Sequence, residues 1–162
     1  MRARLLCLAC VSLWPVMTIA RQSAPPAALP KELRVHVQNQ RFDAVSSLNG
    51  LPGGVRTELQ TLFGSRKLDI VDPGAAFQAS GETADSRRPT RRLVAAGCSH
   101  ADCLVYYERG GSARTWRVAL FHWTPRVTTL EWGGTAPGGL TTIDDVRGAV
   151  LSGTIKSSPG PW

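Results

Sequence analysis

Apolar positions along this chain follow two different periods. Between 52 and 63, Val55, Leu59, Leu62 and Phe63 recur at helical spacing. Pro52 ahead of them suits a first helical turn, and Gly64 behind them supplies a stop. A second helical stretch covers 142–152. Thr142-Ile143-Asp144-Asp145 reads as its start, Ile143, Val146, Ala149 and Val150 share one face, and Gly153 ends it. Elsewhere the period is closer to two. Leu33, Val35 and Val37 alternate with polar residues and predict a short strand, and Lys67–Val71 predicts another, closed by the turn signal Asp72-Pro73-Gly74.

The second half of the chain is dominated by strand signals. They recur at Leu93–Cys98, Cys103–Arg109, Arg114–Trp123 and Val127–Trp132, joined by short connections that make neighbours antiparallel. The expected fold is therefore α+β: a four- to five-stranded antiparallel meander packed with two short helices.

Taking Gly111-Ser112 as a two-residue turn pairs Val105 with Val118 and Tyr107 with Trp116 on one face. Leu104 then meets Ala119 and Tyr106 meets Arg117 on the other. A turn at Pro125-Arg126 pairs Phe121 with Leu130, His122 with Thr129, Leu120 with Glu131 and Ala119 with Trp132. Both faces come out nearly equally apolar, whereas a sheet with one wet face alternates far more clearly. Either both are covered, or one presents aromatics to a partner. The candidate binding residues are Tyr107, Trp116 and His122, or Tyr106, Arg117 and Trp132. A one-residue slip would exchange the two faces.

The N-terminus has the three parts of a secretory signal: Arg2 and Arg4, an apolar run Leu5–Met17, and Thr18-Ile19-Ala20 at the cleavage position. The expected organisation is a signal peptide at 1–20, a Pro- and Ala-rich flexible lead-in at 21–32, and one α+β domain at 33–153. Within that domain 78–92 is a mobile loop, and 154–162 is a tail. Cleavage after Ala20 removes Cys7 and Cys10, leaving Cys98 and Cys103 in an oxidising compartment. It also lowers the whole-chain charge from +7 to +5, because Arg2 and Arg4 leave with the signal. The expected location is periplasmic or extracellular, with no transmembrane span.

Gly97-Cys98-Ser99-His100-Ala101-Asp102-Cys103 is the densest cluster of reactive side chains. Its spacing invites a zinc reading, but structural zinc takes four ligands and no second cysteine pair exists in the exported chain. A Cys98–Cys103 disulfide is expected, with no metal and no cofactor. His36, His100 and His122 are the histidines, and no G-x-S-x-G, H-E-x-x-H or P-loop accompanies them.

His100 and His122 are thus the weak catalytic candidates, for a small envelope hydrolase using a His/carboxylate pair. Arg87, Arg88, Arg91 and Arg92 concentrate positive charge and offer a contact for an anionic surface. Nucleic acid fits poorly with export. The leading expectation is a non-catalytic exported binding protein of a macromolecular or envelope partner, with homodimerisation through the aromatic face as a further possibility.

Overall fold

The computed structural model describes residues 28–81, 87–158 and 162. Residues 1–20, where a secretory signal is expected, and most of the expected lead-in lie outside them. Five principal strands form one antiparallel sheet in chain order: β1 (Asp43–Val45), β2 (Arg91–Cys98), β3 (Asp102–Arg109), β4 (Thr115–Trp123) and β5 (Thr128–Ala136). A two-residue β6 (Lys156–Ser157) adds to the outer side of β5. The helices are α1 (Lys31–Asn39), α2 (Gly53–Leu62) and α3 (Ile143–Ser152). The α+β meander expected from the pattern is present, with a third helix added.

That third helix corrects the strand expected at 33–37. Leu33 and Val37 are also four apart, so a helix puts both on one side. Val37 is buried and Leu33 packs beside it, while Val35 is left 49% exposed. Arginine side chains then tie α1 to α3. Arg147 donates to the carbonyls of Val37 (3.0 Å) and Gln38 (2.5 Å), satisfying the last turn of α1, and Arg34 donates to Leu151. The strand expected at Lys67–Val71 is likewise absent. Only Val71 forms a single parallel bridge, to Arg92, and Ile70 is buried under the sheet.

The other two helices form where the pattern placed them. Thr142 and Asp145 make a reciprocal capping box at the start of α3, and Gly153 closes it in the left-handed region at φ 76°. These hydrogen bonds hold the Asp145 carboxyl below its usual range.

Both sheet faces are covered. α1 and α3 lie on the face that carries Leu104, Tyr106, Val118, Leu120 and Trp132; α2 and the 63–71 segment lie on the face that carries Leu93, Val105, Tyr107, Ala119 and Phe121. The β3–β4 connection runs from Gly110 to Arg114 rather than being a two-residue turn. Val105 consequently faces Ala119, and Tyr107 faces Arg117, one residue away from the expected register. The β4–β5 pairing agrees from Phe121–Leu130 to His122–Thr129. A bulge then shifts it, so that Leu120 meets Trp132 and Ala119 meets Gly133. The bulge turns Trp132 onto the opposite face from Leu130.

Cys98 and Cys103 are register partners at the β2–β3 end and form the expected disulfide, with an S–S distance of 2.06 Å. Replacing both by Ala is expected to cost about 2 kcal/mol, the chain-entropy value for so short a loop. A urea midpoint unmoved by that double variant would show that the hairpin closes equally well without the bond.

Candidate functional site

The residues expected to form an aromatic binding face do not form one. Tyr106 and Tyr107 are fully buried, on opposite faces, and Arg117 and Trp132 are each 6% exposed. Tyr106 donates to the Pro137 carbonyl at 2.7 Å, and Trp116 packs half-buried against the α1/α3 core. His122 alone of the six stays part-exposed without joining a core cluster. The register slip redistributed these side chains, and three helices supplied the covering that two were not expected to give.

The arginine loop is also corrected. Arg91 and Arg92 are the first two residues of β2, so their side chains leave on opposite faces. Arg92 pairs with Glu108 and lies over the Phe77 ring. Arg91 is buried, pairs with Asp69 and lies 4.1 Å from the Phe63 ring centre. Arg87 and Arg88 are exposed and engaged in interactions of their own.

At the disulfide end, β3 and β4 bring Asp102 opposite His122, and α1 adds His36. Each imidazole takes its own carboxylate oxygen. His122 Nδ1 lies 3.2 Å from Oδ1, and His36 Nε2 lies 3.3 Å from Oδ2 of the nearly buried Asp102. His122 therefore stands beside a carboxylate, that of Asp102. Glu131, on the neighbouring strand, accepts from Thr129 at 2.7 Å.

His100 is exposed on the turn. The nearby Ser99 hydroxyl bonds to Gln40 and to the turn backbone, accepting from Asp102 N at 2.9 Å, so it is committed to the turn rather than to an imidazole. Four of the surface hollows among the described residues, of about 300 to 570 Å3, have no histidine in their linings. Among the described residues, no group of three His, Cys, Asp or Glu side chains is placed to hold a metal ion, and no helix is long and apolar enough to cross a membrane.

The opposite end of the sheet holds the more unusual chemistry. Arg91 on β2 faces Arg109 on β3, Tyr107 on β3 faces Arg117 on β4, and Arg109 faces Thr115. All five side chains leave on the α2 face, because strand neighbours two apart share a face. Like charges directly opposed across strands repel. Among the described residues, Asp69 is the carboxylate bonded to this group, and it serves Arg91.

The remaining hydrogen-bonding capacity is unused. Seven buried side-chain polar atoms lack a hydrogen-bond partner among the described residues, and five of them belong here: Arg91 Nε, Tyr107 Oη, Thr115 Oγ1, and Arg117 Nε and Nη1. Burial pulls the Arg117 guanidinium below its usual pKa, with Arg109 pulling the same way. Burial likewise pushes the Tyr107 hydroxyl up to about 12 against the pull of Arg91, Arg117 and Arg109, so it remains a proton donor at neutral pH. Trp162 lies beside this group. Its main-chain oxygen accepts from Arg91 Nη2, and its ring centre is 5.8 Å from the Arg117 guanidinium carbon.

Chemically the arrangement offers fixed donors, high positive charge and a dry surround, which is what an anion requires. No protein-family model, curated protein or solved structure matches this chain.

Proposed function

We propose that this chain is an exported, non-catalytic binding protein that recognises an anionic group through Arg91, Arg109, Arg117 and Tyr107. The N-terminal signal pattern and the Cys98–Cys103 disulfide support export. The observation that carries the binding reading is Arg117, 6% exposed, with two guanidinium nitrogens, Nε and Nη1, that no acceptor among the described residues fills. A buried charge without a partner costs several kcal/mol, and buried polar groups are overwhelmingly paired in folded proteins. A bound anion would supply the missing acceptors and the missing counter-charge together.

Inorganic phosphate is the direct probe. Thermal unfolding in rising phosphate, at ionic strength held constant with chloride, is expected to show saturable stabilisation of about 2.7 kcal/mol at a hundredfold excess over Kd. Arg117→Met is expected to abolish it. A Tm that follows ionic strength alone, in wild type and variant alike, would remove the basis for this site.

A second reading rests on the 3.2 Å Asp102–His122 pair, which orients an imidazole as a general base is oriented. Turnover of chromogenic esters that survives Arg117→Met and vanishes in His122→Ala would move the function to that end of the sheet.

A further inference from the structure

We infer that the ligand of the arginine site is an aromatic carboxylate, and that Trp162 takes its place in the folded chain; the inference rests on the anion-binding reading above. Two contacts carry it. The Trp162 ring lies against Gly133, where an added Cβ would come within 2.5 Å of ring atom Cη2 and 2.8 Å of Cζ3. Bare backbone therefore forms a flat floor for a ring at the edge of the arginine group, with the Arg117 guanidinium beside it. The main-chain oxygen of the same residue reaches Arg91 Nη2. A ring and an oxygen acceptor a few bonds apart thus occupy two subsites of one locus.

The fit is incomplete in a way that identifies the better occupant. The Trp162 oxygen reaches one N–H of Arg91 and leaves Arg117 Nε and Nη1 and the Tyr107 hydroxyl without acceptors. A free carboxylate, untethered to the chain, can turn both oxygens toward the Arg117 fork and the Tyr107 hydroxyl at once, which an oxygen held on the backbone beside Arg91 does not. Phosphate alone would satisfy the donors but leave the ring floor to Trp162. An aromatic acid satisfies both, and it must displace Trp162 to do so. The tryptophan is therefore a built-in competitor that sets the threshold for binding.

Removing the competitor exposes the site to a probe of the same chemistry. N-acetyl-L-tryptophan is expected to bind Trp162→Ala about tenfold or more tightly than wild type in calorimetry, and about tenfold or more tightly than its amide, N-acetyl-L-tryptophanamide. Wild type gives a second readout that does not depend on a variant's folding. The acid, and not the amide, is expected to shift the Trp162 indole N–H resonance on displacement. Equal binding of acid and amide would overturn the carboxylate assignment. Saturable phosphate binding with no preference of Trp162→Ala for the acid would overturn the aromatic part and leave the anion site standing. Binding of neither phosphate nor the acid would overturn both.

Discussion

Truncating Phe121 to Ala is expected to destabilise the protein by about 3–5 kcal/mol, and Leu104→Ala by about 2–5 kcal/mol, both read from urea unfolding. The two side chains point to opposite faces of the sheet, and each is fully buried. Phe121 packs in the cluster with Val55, Leu59 and Ile70 beneath α2; Leu104 packs with Val37, Val146 and Val150 beneath α1 and α3. A domain of this size is held by some 5–15 kcal/mol, so either variant removes a large share of it. The pair matters more than either member. A sheet with one face kept open for a partner would lose stability at one site and little at the other. An unchanged midpoint for either variant would restore the exposed-face reading of the aromatic sheet.

The two-sided core explains why register was not legible in the sequence. Hydrophobic alternation fixes register only when one face is wet, because a slip then drives apolar residues into water. Here Leu104, Val105, Tyr106 and Tyr107 are all buried in succession, and Val118 to Phe121 repeat this on the next strand. Either register satisfies such a pattern. The loop from Gly110 to Arg114 decides between them, and nothing in its composition separates it from a two-residue turn plus longer strands. Local chemistry was legible where it is self-contained. The Thr142–Asp145 capping box, the glycine stops at 64 and 153 and the cysteine pair each act within a few residues. The segment at 33–37 failed because three apolar residues satisfy both periods, and contact with α3 selects the helix.

The arginine site was only half visible for the same reason. In the sequence Arg91 belongs to a charge run, and Arg117 to the candidate binding set with Tyr106 and Trp132. Linking them requires knowing that Arg91, Tyr107, Arg109 and Arg117 emerge on one face, which is register information. Run-counting also grouped Arg91 with Arg92, although the strand sends them to opposite sides. His36 meets the Asp102 carboxylate from α1, a helix that the alternation at 33–37 does not predict. The signal that could have found the arginine site was the charged residue inside an apolar strand, a position where solvation cannot be assumed.

Arg117→Met is expected to stabilise the protein by about 1–3 kcal/mol while abolishing its response to phosphate. Exchanging a poorly compensated buried charge for a long apolar side chain is often neutral or stabilising by a few kcal/mol. Methionine keeps most of the packing of the arginine stem and fills an irregular space without demanding hydrogen bonds. Against this gain stands the loss of the guanidinium–indole contact with Trp162, about 0.5–1 kcal/mol at the 5.8 Å separation. Relief of repulsion from Arg109 adds to the gain, because Arg109 and Arg117 flank Tyr107 with no acid bonded between them among the described residues. The Tyr107 hydroxyl would still lack an acceptor, so the gain falls short of full repair. The opposed signs are the diagnostic feature: a structural arginine loses stability on replacement, whereas a binding arginine retained at a stability cost gains it and loses its ligand. Destabilisation of similar size by Arg117→Met, with the phosphate response intact, would assign this residue to the core and leave the anion site without its central donor.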